Sequence, residues 1–562
     1  MNKDSLHRNR WLGTPRTRAA AALAALALGA AACGGSSSPV STGAGPAPAS
    51  SSGGGSSSQT LVIARNMDLT STDPSNAICD TCQFVFSATY ETLVGLSDDN
   101  KTLTPRLATS WTGSKHDSVW TFKLNPAAKF ADGSPVTSAD VKFSLLRLKN
   151  LKGNASYLVN TVSKITTPGP HTVAITLHGP NSEFPNAVNA SYTGIINAKE
   201  AQQQGASDAA DAAKVDKADK WFQSHSAGSG PYELQSFTSG SQVTLVANPN
   251  YWGTKPALKR IIVKQANTAA AQAQMLQDGE ADMAMQIDPV TAKSLSGAAG
   301  ITVKTIPSFN FFWIGMGQNI SKLTQAPLNS DIRHAIVDAI DYQGLLNTMV
   351  SGEGKLVAAP IPNGYPGSAG LPLPKRNLAE AKQLLAKAGF PNGFKLTLAY
   401  PTINAYGVDL GQLAQLLQTQ LKEAGIDLTL RPATFSVNID DFSQNKLPME
   451  LLYWAPDYYG TAQYFNYFGL VPDSAWSHLS AATPTAKPVV NAAETKAFNQ
   501  ALASSTQAQR DQFFQQAGQQ MINDAVTVPL FSPNLVLAYK SNLKGVSYSA
   551  CCNIKLWQLS RS

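Results

Sequence analysis

From Gly34 to Ser58 this chain cannot pack: the stretch is almost wholly Gly, Ser, Pro, Ala and Thr, with no face to bury against a neighbour. Such a composition behaves as a flexible tether. About 24 residues of it have a root-mean-square reach of roughly 25 Å, enough to hold a globular body away from a surface. The folded part is therefore expected to start near Gln59. Of the 562 residues, about 500 then remain. That is more than one hydrophobic core supports, so at least two lobes are expected.

What precedes the tether sets the compartment. Lys3, Arg8, Arg10, Arg16 and Arg18 form a basic leader, and an uninterrupted Ala/Leu/Gly run from Ala19 to Ala32 stops at Cys33. Crossing the hydrocarbon of a bilayer takes about 20 apolar residues, so this run is too short for a permanent span and has the layout of a signal peptide over residues 1–32. Ala30-Ala31-Ala32-Cys33 resembles a bacterial lipobox, although Ala30 stands where a leucine is usual. Cys33 is thus expected to carry lipid and begin the mature chain, with residues 33–58 as lipidated cysteine and tether. The implied location is extracytoplasmic, anchored to the outer face of the cell membrane. A plain secreted protein with an incidental cysteine is the alternative.

Charge and cysteines narrow the function. The formal net charge is +7, and the leader holds five basic residues against Asp4, so the mature chain is near 7 − 5 + 1 = +3. Without a basic cluster or a basic-aromatic stripe, that excess is no footprint for nucleic acid. Beyond Cys33 there remain Cys79, Cys82, Cys551 and Cys552, an even number in an oxidising compartment, so disulfides are expected. Cys79-x-x-Cys82 also fits a redox motif or half of a zinc site. No strand-helix redox context and no neighbouring histidine supports either.

The seven histidines form no His-Glu-x-x-His pair, and no Gly-x-Ser-x-Gly or Gly-x-x-x-x-Gly-Lys-Ser/Thr segment occurs. No catalytic residue, metal site or cofactor is expected. An exported hydrolase remains as a remote reading that turnover of peptide or sugar substrates would revive.

Short strand-like runs (Thr60–Ala64, Val119–Leu124, His171–Leu177, Val243–Val246 and Ile261–Val263) alternate with helical patterns at Asp331–Val350 and at Leu378–Ala388, the latter closed by Gly389. The fold class is mixed α/β. Phe130-Ala131-Asp132-Gly133-Ser134-Pro135 reads as a turn, with Thr137 or Ser138 capping the next helix.

Several ordered segments then carry a resemblance. Tyr90-Glu91-Thr92-Leu93-Val94, Leu103 through Trp111, Trp120 through Leu124, Lys129 through Thr137, Asp140 through Ser144, Gly228-Ser229-Gly230-Pro231-Tyr232, Asn248 through Trp252, and Asp331-Ile332-Arg333 leading to Ala339-Ile340-Asp341 resemble the peptide/nickel class of extracytoplasmic solute-binding proteins. Asn125 stands where that family has arginine. The resemblance implies a two-lobed fold of the periplasmic-binding-protein type, with the ligand cleft between lobes joined by two crossings. Lobe I would be residues 59–265 plus 530–562, and lobe II residues 266–529. It further implies capture of peptides by lobe closure, delivery to the separate permease and ATPase subunits of an ABC importer, and a monomer. The same scaffold serves oligosaccharides and metal chelates, so these remain alternative solutes.

The resemblance also nominates ligand-facing residues. Leu452 through Tyr459 is similar to the segment in which the oligopeptide receptors place the aspartate that meets the peptide's ammonium, which makes Asp457 the candidate for amine recognition. A turn cap beside an aromatic core is its other reading. Trp454 and Tyr453 would supply apolar wall or core, Phe435 stands where those receptors have tryptophan, and Cys79 to Gln83 falls on a loop that contacts bound peptide. Both cysteine pairs map to one lobe by resemblance. The expectation is a staple from Cys79 and Cys82 to Cys551 and Cys552, against a local Cys79–Cys82 bridge.

Overall fold

The computed structural model describes residues 59–317, 324–444, 446–470 and 492–562. The leader, Cys33 and the tether lie outside the described residues.

Two sheets organise the fold. The first has seven strands in the order Ile301–Ile306, Leu535–Lys540, Met283–Ala284, Thr60–Arg65, Arg260–Gln265, Gln242–Ala247 and Tyr232–Thr238. Thr60–Arg65 runs parallel to Arg260–Gln265, with Thr60 opposite Arg260, and parallel to Met283–Ala284. The second has six, in the order Gly354–Lys355, Thr527–Pro533, Phe311–Met316, Met449–Trp454, Phe394–Pro401 and Ile426–Ala433. A separate four-stranded sheet within 108–177 alternates buried and outward residues along Thr172–Leu177, as a sheet covered on one face does.

Strand pairing corrects the expected lobe boundaries. Met283–Ala284 pairs with Ile63–Ala64 and with Ala538–Tyr539, and all of Ile301–Ile306 pairs with Leu535–Lys540. Residues 266–306 therefore belong with the first lobe. The chain changes sheet between Ile306 and Phe311, and returns at Asn534 between Pro533 and Leu535. No linker composition marks these points, and a two-residue strand has no periodicity to read.

The helix expected over Asp331–Val350 is two: Ser330–Ala339 and Tyr342–Val350. Asp341 breaks it by acting as an N-cap, its carboxylate accepting from Gly344 N–H at 2.9 Å. Leu378–Lys387 ends as expected, with Gly389 at φ +91°. Before the helix Ser138–Leu151, Asp140 accepts from Thr137 N–H at 2.9 Å and from its hydroxyl at 2.7 Å. Thr137 is thus the capping residue.

Four of the ordered sequence segments meet at one buried carboxylate. Glu91 accepts from Ser229 Oγ (3.0 Å), Tyr251 Oη (3.1 Å) and Trp252 Nε1 (2.7 Å), with Arg106 Nε 3.7 Å away. Gly230 packs so closely that a Cβ would lie 2.4 Å from Ala88 O. These segments are therefore structural, locking the helix α1 (Asp80–Thr89) in place.

Candidate functional site

The first-lobe wall begins at the N-terminus of α1. Its leading amides are satisfied from outside the helix: Asp68 accepts from Asp80 N–H and Thr81 N–H, both at 2.8 Å, and Cys79 Sγ accepts from Cys82 N–H at 3.0 Å. Asp80 is held by Arg65 at 2.6 Å and also accepts from Asn553 Nδ2. Burial pushes the Asp80 carboxyl up, and the Arg65 charge pulls it back.

The cysteine staple is corrected here. Cys79 is bonded to Cys82, with their Cα atoms 5.0 Å apart. Cys551 and Cys552 are free and buried, in the turn between Tyr548–Ser549 and Asn553–Ile554, with their Sγ atoms 2.7 Å apart. The physical reason is local: an N-cap residue and the residue three positions on lie on one side of the first helical turn. That neighbourhood needs no distant partner.

The second-lobe wall is the end of the buried strand Met449–Trp454 and the loop after it. Gln463 braces that loop, accepting from Asp457 N–H at 2.8 Å and donating to Tyr458 O at 2.5 Å and Gly460 O at 2.8 Å. From the first lobe, Glu183 accepts from Thr461 N–H (3.2 Å) and Ala462 N–H (2.8 Å), and Asn186 donates to Tyr459 O at 2.6 Å. The loop is thus set by both lobes.

Between these walls lies a narrow cavity of about 50 Å³, lined by residues of both lobes, including Asp68, Cys79, Gln83, Tyr192, Phe435, Tyr453, Trp454 and Asp457. Of the sequence-nominated residues, the structure brings together all five: Asp457, Trp454, Tyr453, Phe435 and Gln83. Asp457 is only 2 % exposed. It accepts from Gln83 Nε2 at 2.9 Å and from Tyr157 Oη, and Gln83 Nε2 also reaches Pro456 O at 3.1 Å. Both donors to the carboxylate are neutral. Burial therefore prevails over these hydrogen bonds, and the Asp457 carboxyl is pushed up to about 7.

Gln83, itself 2 % exposed, uses its amide nitrogen on two acceptors, which fixes the amide's orientation and leaves Oε1 buried without a partner. Tyr453 Oη donates to Asp68 at 2.8 Å, tying the lobes together, and Trp454 packs its ring 4.1 Å from that of Tyr467. Phe435 is half-buried at the start of the helix Phe435–Ser443, with its ring 6.2 Å from Tyr453. Three carboxylates (Asp68, Asp80 and Asp457) line the cavity, and Arg65 is paired with Asp80. The arrangement suits a cationic group with several N–H donors. Among the described residues, no cluster of three His, Cys, Asp or Glu is placed to hold a metal.

Sequence reasoning missed Tyr157, Tyr192 and Asp68. Tyr157 sits in a single 3₁₀ turn, Asn154–Leu158, and reaches Asp457 across 300 positions. No local pattern announces such a partner.

Two lobes with acceptors converging on a cavity between them have the arrangement of a binding protein. Residues 102–475 match the bacterial extracellular solute-binding proteins, family 5, and the chain belongs to that family. It is 29% identical over 503 residues to the probable D,D-dipeptide-binding periplasmic protein DdpA of Escherichia coli K12, covering 87% of this chain and 91% of that one. Its fold is similar to that of the periplasmic binding protein DppA of Helicobacter pylori in complex with the peptide STSA (TM-score 0.77, 20% identity, 89% of this chain and 98% of that one). It is also similar to NikA of Staphylococcus aureus in complex with Ni(L-His)2 (TM-score 0.74, 18% identity, 90% and 100%).

Proposed function

We propose that this protein is the peptide receptor of an ABC importer, holding the ligand's free amino group between Asp457 and Gln83. The observation that carries this reading is the pair of buried acceptors: a carboxylate supported only by neutral donors and, on the donor that orients it, an amide oxygen with no partner. An ammonium brings the missing charge and three donors. A charge-assisted hydrogen bond in such a place is roughly twice as strong as a neutral one. The neighbouring peptide-binding relatives make the same ligand class the natural one.

Closure follows from the architecture. Two crossings make a hinge, at residues 307–310 and at Asn534, and the contacts of Gln83, Glu183 and Tyr453 across the cleft are available only when the lobes meet. Tyr157, Tyr192 and the aromatic wall of Tyr453 and Trp454 exclude water around the amine. Export as a lipoprotein anchored at Cys33, a Cys79–Cys82 disulfide in the exported chain, a monomeric state, and separate permease and ATPase partners complete the reading.

The test is a thermal-shift screen. If binding is micromolar, millimolar peptide adds about 4 kcal/mol to the stability of the folded form. A shift with free-amine peptides is expected. A shift with oligosaccharides or metal chelates and none with peptides overturns the reading.

A further inference from the structure

The Cys-x-x-Cys segment is the one motif the binding role leaves unused, yet it stands in the wall of the cavity. Cys79 lines that cavity, and Cys82 is completely buried beneath it. The bridge spans only three positions of sequence, so it constrains the unfolded chain far less than a long-range cross-link does. Its placement follows a different logic. Cys79 caps the ten-residue helix α1, with Sγ accepting from Cys82 N–H at 3.0 Å. A helix N-terminus carries partial positive charge and stabilises a thiolate at the cap or in the first turn, where Cys79 and Cys82 stand. Tyr192 Oη fixes this residue from outside, accepting from Cys79 N–H at 3.1 Å and donating to Cys79 O at 2.8 Å. Gln83, the next residue after Cys82, supplies the buried unpartnered oxygen that points to a ligand here.

We propose that the Cys79–Cys82 disulfide is a reactive part of this cavity and exchanges with thiol-bearing peptides held there. The inference rests on the reading of the cavity as a peptide site, since the amine anchor is what brings a ligand sulfur to Cys79. In the first step the ligand's thiolate sulfur attacks Sγ of Cys79, the residue of the pair that lines the cavity. A ligand–Cys79 disulfide forms and the Cys79–Cys82 bond breaks. The electron pair departs on Cys82 Sγ, which takes up a proton. A second ligand thiol then attacks the ligand's sulfur in that mixed disulfide and leaves Cys79 as a thiol. Two ligand thiols are thereby oxidised to one ligand disulfide, while the protein's disulfide is reduced to two thiols. The ligand itself is the reductant.

The test uses the full-length oxidised protein and two matched tripeptide pools, X-Cys-X and X-Ser-X. Calorimetry with X-Ser-X reports binding alone. After exposure to X-Cys-X, acid quench, alkylation with N-ethylmaleimide and peptide mapping report the state of each cysteine. The expected result is a ligand adduct or alkylation at Cys79 at least tenfold faster than with the same concentration of 2-mercaptoethanol, suppressed by excess X-Ser-X. Binding of X-Ser-X with an intact Cys79–Cys82 peptide after X-Cys-X overturns the inference and leaves the peptide reading standing. Exchange that X-Ser-X does not suppress also overturns it. Failure of both pools to bind overturns the peptide reading, and the inference with it.

Discussion

Around Arg147 and around Asp457 the protein buries charge on opposite terms. Arg147 is completely enclosed, and its guanidinium meets Asp73 through two bonds of 2.7 and 2.6 Å and Asp216 through two more of 2.8 and 3.1 Å. Each guanidinium nitrogen there has a charged acceptor. Asp457 is as deeply buried, but its partners are a tyrosine hydroxyl and a glutamine amide. A buried ion network in which each charged group meets an opposite charge holds a structure, whereas a buried charge supported only by neutral groups is poised for a ligand that brings the opposite charge. The difference separates scaffold from site without reference to any relative.

The comparison breaks most visibly at Arg147. Arg147→Met is expected to cost about 3–5 kcal/mol, because two carboxylates are left uncompensated. Urea unfolding reads this directly, and ligand affinity of the folded fraction should stay within about twofold of the parent. A loss below about 1 kcal/mol would mean that Asp73 and Asp216 are not held by charge.

Asp457→Asn acts on the other side of the comparison. Free-amine peptides are expected to weaken by about 2–5 kcal/mol, and N-acetylated peptides much less. Equal losses for the two, measured calorimetrically, would show that Asp457 does not read the amine.

Acidity sharpens the same point. With the Asp457 carboxyl raised from its ordinary 3.8 to about 7, the folded, ligand-free protein retains a proton that the unfolded chain has already released. Burial of this group therefore costs nothing below both values, costs progressively more as pH climbs from about 4 to about 7, and reaches a plateau above. An ammonium pulls the carboxyl down again. Binding of a free-amine peptide should therefore release up to one proton in that window, with affinity rising by up to about tenfold per pH unit and levelling off above about 7. Titration calorimetry in buffers of different ionisation enthalpy measures the release, and Asp457→Asn should abolish it. Binding that releases no proton across the window would contradict the unbalanced burial.

The smallest expected effect is at Gln83. Gln83→Met keeps the shape and removes both the donor to Asp457 and the unpartnered oxygen, so the loss for free-amine peptides should be about 1–2 kcal/mol. A loss as large as that of Asp457→Asn would shift the weight of amine recognition to the amide.

Much of this was legible in the residues. The α/β class, the turn at Asp132-Gly133 and the cap at Thr137 follow from local chemistry, and Gly133 indeed has φ +84°. The ordered segments led to the fold family and to Asp457, Trp454, Tyr453, Phe435 and Gln83. Their own roles were less legible, because nothing local shows that Glu91 gathers Ser229, Tyr251 and Trp252.

What the sequence by itself determined is whatever depends on neighbours along the chain: cap, turn, amphipathic period and the residue types available for an amine. What only the tertiary structure decided depends on groups brought together from afar. Residues 266–306 joined the first sheet through a parallel ladder with Ile63–Ala64 and an antiparallel one with Leu535–Lys540. Cys79 chose Cys82 because a helix happens to begin between them, leaving Cys551 and Cys552 to each other's company. Asp457 acquired its raised pKa from the burial that the meeting of the lobes imposes, against the opposing hydrogen bonds of Tyr157 and Gln83, 300 and 374 positions away. Desolvation is a property of the surrounding packing and not of the side chain, so no reading along the chain supplies it.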